Sequence, residues 1–143
     1  MTITPKNSGW IEVICGSMFS GKTEELIRRL RRAEIAKMSI VIFKPKIDSR
    51  YSKNHIASHN NIKMKAHIIT NPEEMIDIAE KHQVIGIDET QFFDNSIVKI
   101  SKKLASMGKR VIVAGLDTDY RGLPFGPMPN MMCEADYLDK LRA

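Results

Sequence analysis

Cysteine is scarce in this chain, with two in 143 residues. Cys15 and Cys133 are too few and too far apart to form a metal cluster by themselves. A structural zinc site takes four ligands as a rule, and no C-x-x-C pair occurs. In a reducing compartment the two are expected to be free thiols, each acting as a small buried hydrophobe. Long apolar runs are also missing: none approaches the ~20 residues of a membrane helix. The segment Met1–Gly9 carries no apolar signal-peptide core, so a cytoplasmic location is expected. Aromatic residues are few, at 6%, and none is interleaved with the basic run Arg28, Arg29, Arg31 and Arg32 to stack bases. Nucleic-acid binding therefore has little support beyond a formal charge of +5. That charge also suits nucleotides and phosphates.

What is present is ordinary for one soluble domain spanning 1–143, with 43% hydrophobic and 27% charged residues. Strand-like and helix-like periods alternate along it. Trp10–Cys15 reads as a buried strand. Lys22–Lys37 reads as a helix, with Leu26, Ile27, Leu30 and Ala33 as its apolar stripe and the arginines as its wet side. Ser39–Phe43 is a second strand, and the polar stretch Pro45–Asn61 a long loop. Lys65–Ile69 suggests a short strand, and Asn71-Pro72 the start of a helix. Val84–Asp88 and Arg110–Ala114 are further apolar strands. Between them Asn95–Met107 is helical, with Ile97, Ile100, Leu104 and Met107 on one face and Gly108 as its stop. A Gly- and Pro-rich segment, Gly115–Pro129, follows. Apolar strands separated by helices predict an α/β fold with a mostly parallel sheet covered by helices on both faces.

Between the first strand and first helix stands Gly16-Ser17-Met18-Phe19-Ser20-Gly21-Lys22-Thr23, the G-x-x-x-x-G-K-T pattern of a phosphate-binding loop. Its fixed positions would coincide by chance in on the order of one such chain in two hundred. A preceding strand and a following helix make coincidence rarer. Glycines let backbone N–H groups converge on phosphate oxygens, Lys22 reaches the β- and γ-phosphates, and the Thr23 hydroxyl suits Mg²⁺. The expected ligand is thus a nucleoside triphosphate with Mg²⁺.

Such a loop needs a second acid for the metal, usually at the end of a neighbouring strand. Asp88 ends the strand Val84–Asp88, and Glu89 follows it. Side chains alternate along a strand, so the two acids should diverge, one towards the metal and the other towards a substrate.

Several segments together resemble the type II, cytosolic thymidine kinases. These are Gly16–Leu26, Asp48-Ser49-Arg50-Tyr51-Ser52, Ser58-His59, Ile87-Asp88-Glu89-Thr90-Gln91-Phe92-Phe93 and Gly115–Pro129. The likeness runs in register from about Trp10 to the last residue. It implies a P-loop nucleotide-binding fold and transfer of the ATP γ-phosphate to the 5′-hydroxyl of thymidine, giving dTMP for DNA precursor salvage. It also implies that Gly16–Thr23, Arg50 and the segment Asp88, Glu89, Thr90 and Gln91 bind ATP. Asp88 and Thr23 become the magnesium-associated groups, Glu89 the catalytic base and Arg50 a phosphate contact. Met18, Phe92, Leu116 and Tyr120 become the walls of the thymidine pocket. Tyr120 stands where the family carries phenylalanine. The family further suggests a homotetramer.

In that family the segment Glu134–Ala143 leads into a region with four cysteine-type zinc ligands and a lasso-like loop that closes over the thymine. With Ala143 the last residue, no zinc is expected, and Cys133 alone cannot replace the ligands. Two alternatives stand beside the kinase reading: an inactive ATP-binding fragment of such a kinase, and a P-loop ATPase acting with nucleic acid.

Overall fold

The computed structural model describes residues 8–47, 54–58 and 62–143. Its main sheet has six strands in the order β5-β2-β6-β7-β1-β8. They are β1 (Trp10–Gly16), β2 (Ile40–Pro45), β5 (His67–Ile69), β6 (Val84–Ile87), β7 (Arg110–Leu116) and β8 (Tyr137–Leu141). Every pairing among them is parallel. A separate antiparallel pair joins β3 (His55–Ala57) to β4 (Lys63–Lys65). The helices are α1 (Lys22–Ile35), α2 (Met75–Ala79), α3 (Ser96–Ser106) and α4 (Met128–Glu134).

Alternation along the strands builds two cores. On one face Val13, Phe43, Ile85, Ile87, Val111 and Val113 pack with residues of α2, α3 and α4. On the other, Ile14, Ile42, Val84, Ile112 and Ala114 pack with Leu26, Ile27, Leu30 and Ala33 of α1. Helices thus cover both faces of the sheet. The four apolar positions read on the first helix are its four buried residues. On α3, Ile97, Ile100 and Leu104 are buried while Met107 lies past the helix end and is exposed.

Several sequence expectations need correction. The polar stretch 45–61 contains β3, whose partner is supplied from beyond the loop. Lys65–Ile69 is divided between β4 and β5, with buried Ala66 turning the chain between two sheets. Helix α4 begins at Met128, inside the Gly- and Pro-rich segment, and strand β8 follows it. The burial pattern of β8 shows why it escapes notice: four of its five residues are exposed, so it has no apolar signature. Cys15 is buried, but Cys133 is exposed on α4.

The arginine run of α1 is also not uniformly solvated. Arg28 is exposed, whereas Arg29 keeps 15% side-chain exposure. It turns inward because Glu12 lies on the α1 face of β1, between Trp10 and Ile14. The Glu12 carboxylate, itself buried, accepts hydrogen bonds from Trp10 Nε1 at 2.7 Å, from Arg29 Nη1 at 2.9 Å and from Arg110 Nε. Arg29 also pairs with Glu25 and with Asp139 of β8, each at 2.7 Å. One buried anion therefore joins α1, β1 and β7, and through Arg29 reaches the edge strand.

Burial alone would raise the Glu12 carboxyl, but the hydrogen bonds from Arg110 and Trp10 and the charges of both arginines outweigh it and hold the group below its ordinary 4.5. Its stabilisation is therefore complete above pH 4.5 and is lost as the pH falls through the lowered folded-state value. Glu12→Gln should cost about 2–4 kcal/mol at pH 7. Urea unfolding at a series of pH values should show that difference narrowing below the ordinary carboxylate range.

Candidate active site

The loop Gly16–Thr23 leaves β1 and turns into α1 through Gly21, which caps the helix at φ 89°, a left-handed conformation that glycine adopts without a Cβ clash. Ser20 Oγ donates to the Ser17 carbonyl at 2.7 Å, and Lys22 Nζ donates to the same carbonyl at 2.6 Å. Burial pushes the Lys22 amine down, opposed by the nearby charges of Glu89, Asp88 and Asp117. Phe19 stands out from the loop, 84% exposed and at a positive φ of 63°.

Asp88 follows β6 directly and is 5% exposed. Thr23 Oγ1 lies 3.1 Å from its Oδ2, and the Glu89 backbone N–H donates to its Oδ1 at 2.9 Å. Burial and the adjacent Glu89 charge raise this carboxyl from 3.8 to about 6, against the opposing effect of those two hydrogen bonds. A buried acid this reluctant to ionise, beside a threonine hydroxyl at a phosphate loop, fits a site for a cation. Among the described residues no group of three or more His, Cys, Asp or Glu gathers around it. The donor set is thus one carboxylate and one hydroxyl, which suits Mg²⁺, an ion that keeps waters and phosphate oxygens as its remaining ligands.

The two acids do diverge, but not through strand alternation. The strand ends at Ile87, and Glu89 sits in the left-handed region at φ 53°, ψ 38°. That conformation costs a non-glycine residue about 1–2 kcal/mol. It turns the Glu89 carboxylate into a different space from that of Asp88. A short 3-10 turn, Thr90–Phe92, follows. Thr90 is fully buried, its hydroxyl donating to the Ile87 carbonyl at 3.3 Å. Gln91 is 4% exposed. Its Nε2 donates to Glu89 Oε2 at 2.9 Å and its Oε1 accepts the Leu116 N–H at 3.0 Å.

Glu89 opens into a cavity of about 650 Å³ that also reaches Lys22 and Thr23. Met18, Phe92, Leu116 and Tyr120 line the same cavity. All four expected pocket residues are therefore brought together with the expected base and the phosphate-loop lysine and threonine. Arg50 and His59 lie outside the described residues. Sequence reasoning passed over Phe125, whose ring meets that of Phe92 edge-on with centroids 5.4 Å apart. Phe19, Asp119 and Ala57 of β3 line the cavity as well. Phe19 belongs to the expected phosphate loop, but no periodicity signals Phe125 and Asp119, which sit in loops, or Ala57, in a three-residue strand. Asp119 Oδ1 accepts the N–H groups of Arg121 and Leu123, at 2.8 and 3.1 Å, which folds the turn that presents Tyr120. Arg121 lies 5.7 Å over the Tyr120 ring. Asp117, just past β7, is a further buried acid, and it pairs with Lys140 of β8 at 2.8 Å.

The sequence model of the thymidine kinase family matches residues 9–143, nearly the whole chain.

Ionising Asp88 costs stability because the folded chain holds its proton more tightly than the unfolded chain does. The unfolded chain gives that proton up near 3.8 and the folded chain near 6, so stability declines as the pH rises between them. Asp88→Asn, which keeps the shape and an acceptor for the Glu89 N–H, should stabilise the ligand-free chain by up to about 3 kcal/mol at pH 7.5. Denaturant unfolding at pH 4 and pH 7.5 checks this, with the advantage expected only at the higher pH.

Proposed function

The chain belongs to the thymidine kinase family, and from that membership we propose that it transfers the γ-phosphate of ATP to the 5′-hydroxyl of thymidine, giving dTMP. One observation carries the reading. A single cavity holds Lys22 and Thr23 of the phosphate loop, the Glu89 carboxylate, and an apolar wall of Met18, Phe92, Leu116 and Tyr120. An enzyme that moves a phosphoryl group to a nucleoside needs these three things side by side.

In this reading the backbone N–H groups of Gly16–Thr23 cradle the phosphates, and Lys22 offsets their charge. Thr23 and Asp88 are the groups that would hold Mg²⁺, which when bound neutralises charge on the β- and γ-phosphate oxygens. The nucleoside base lies against the apolar wall, with its 5′-hydroxyl towards Glu89. Glu89 accepts the hydroxyl proton as the 5′-oxygen bonds to the γ-phosphorus. The bond from that phosphorus to the bridging oxygen breaks, and ADP leaves with the electron pair. Arg50 is proposed to contact the transferred phosphoryl group. Thr90 and Gln91 brace this segment rather than contact ATP, since the Thr90 hydroxyl is turned to the Ile87 carbonyl and the Gln91 amide is engaged by Glu89 and Leu116. A cytoplasmic homotetramer acting in DNA precursor salvage completes the proposal.

ADP release that depends on thymidine tests the activity, and ATP hydrolysis stimulated by DNA but indifferent to thymidine would overturn it. Glu89→Gln should lower thymidine phosphorylation by about 10²–10⁴-fold, the usual worth of a general base. Binding of a fluorescent ATP analogue should stay within about threefold, because the phosphate loop is untouched. Turnover by this variant at the parent rate would refute the role given to Glu89.

A further inference from the structure

The geometry points to Gln91 as a positioning residue, whose side-chain amide sets the Glu89 carboxylate for proton acceptance. This rests on the reading of Glu89 as the base.

Gln91 is 4% exposed, and both ends of its amide are engaged. Nε2 donates to Glu89 Oε2 at 2.9 Å, and Oε1 accepts the Leu116 N–H at 3.0 Å. Only one orientation of the amide works. The reverse would set an oxygen against a carboxylate and an N–H against an N–H, leaving the hydrogen-bonding groups of the amide unpaired. The Leu116 N–H is itself a fixed point. Strand β6 ends opposite Val113, while β7 runs three residues further, held by β1 through the pair Gly16–Leu116. The Leu116 N–H therefore lies beyond the reach of β6, and the Gln91 side chain takes the place of a continued strand.

Packing fixes the amide further. A Cβ at Gly115 would come within 3.0 Å of Gln91 Oε1 and 2.7 Å of Met128 Sδ, so the amide is packed closely against this glycine. Glu89 needs such an anchor because its left-handed backbone is costly and its carboxylate opens into a wide cavity. With Oε2 held by the amide, Oε1 is the oxygen left to meet a substrate hydroxyl. Gln91 also ties that carboxylate to Leu116, a wall of the same cavity, so base and nucleoside pocket share one frame.

The test compares Gln91→Met, which keeps the bulk and removes both hydrogen bonds, with Gln91→Glu, which keeps the acceptor and sets a second carboxylate against Glu89. Steady-state thymidine phosphorylation, binding of a fluorescent ATP analogue and thermal unfolding are measured for each. Gln91→Met should lower kcat by about 10–100-fold, with ATP-analogue binding within about threefold of the parent. For Gln91→Glu, the ratio of its kcat to that of the parent should rise as the pH falls from about 8 to about 6, as the introduced carboxyl takes up a proton that it can donate to Glu89. Asp88 and Lys22 are present in both proteins, so the ratio isolates the coupled pair formed by the introduced carboxyl and Glu89.

The inference is overturned if Gln91→Met keeps kcat within about threefold of the parent, if nucleotide binding or folding is lost in step with turnover, or if the ratio is flat with pH. Glu89→Gln in parallel separates the two claims. Full turnover by Glu89→Gln, or no thymidine turnover by the parent chain, removes the reading of Glu89 and this inference with it. A crippled Glu89→Gln beside a fully active Gln91→Met removes this inference alone.

Discussion

Because all six strands of the main sheet run parallel, their C-terminal ends fall along one edge, and the chemical groups of the candidate site hang from that edge. The phosphate loop leaves β1, Asp88 and Glu89 leave β6, and Leu116 ends β7. The strands do not stop level. β6 ends three residues before its neighbour β7, and the notch this leaves is where the Thr90–Phe92 turn folds and the cavity begins. A sheet with mixed strand directions would scatter these groups over two edges.

Two buried carboxylates show how differently the same residue chemistry is used at the two ends of that sheet. Glu12, away from the site, is saturated by Trp10, Arg29 and Arg110 and is held ionised. It joins helix to sheet and acts structurally. Among the described residues Asp88 accepts hydrogen bonds from a threonine hydroxyl and a backbone N–H and feels the Lys44 charge, yet burial and the Glu89 charge still drive it towards its neutral form. An under-compensated acid costs stability in the ligand-free chain, a cost that fits a residue arranged for a cation and phosphates.

Much of the site was legible before any geometry. The phosphate loop is a local device whose glycines, lysine and threonine act at fixed spacing, so its pattern survives in one dimension. The two acids were readable as a pair expected to diverge, but not for the reason that strand alternation gives. Strand alternation does not reach Glu89; a left-handed residue does the turning. Such a conformation is rare outside glycine, and nothing in the string Ile87-Asp88-Glu89-Thr90 announces it. Membership of the thymidine kinase family, matched over residues 9–143, bears out the resemblance carried by the motifs.

The apolar strands and the helix stripes were determined by the sequence itself, because burial of one face imposes a period that can be counted. Leu26, Ile27, Leu30 and Ala33 are the clearest case. Tertiary structure alone decided the rest. It turned Arg29 inward to Glu12, set exposed β8 beside β1, and brought Phe125 to Phe92. It also closed the Gln91 amide between Glu89 and Leu116. These contacts join residues whose nearness depends on how strands pair and where they stop, and no spacing along the chain encodes that.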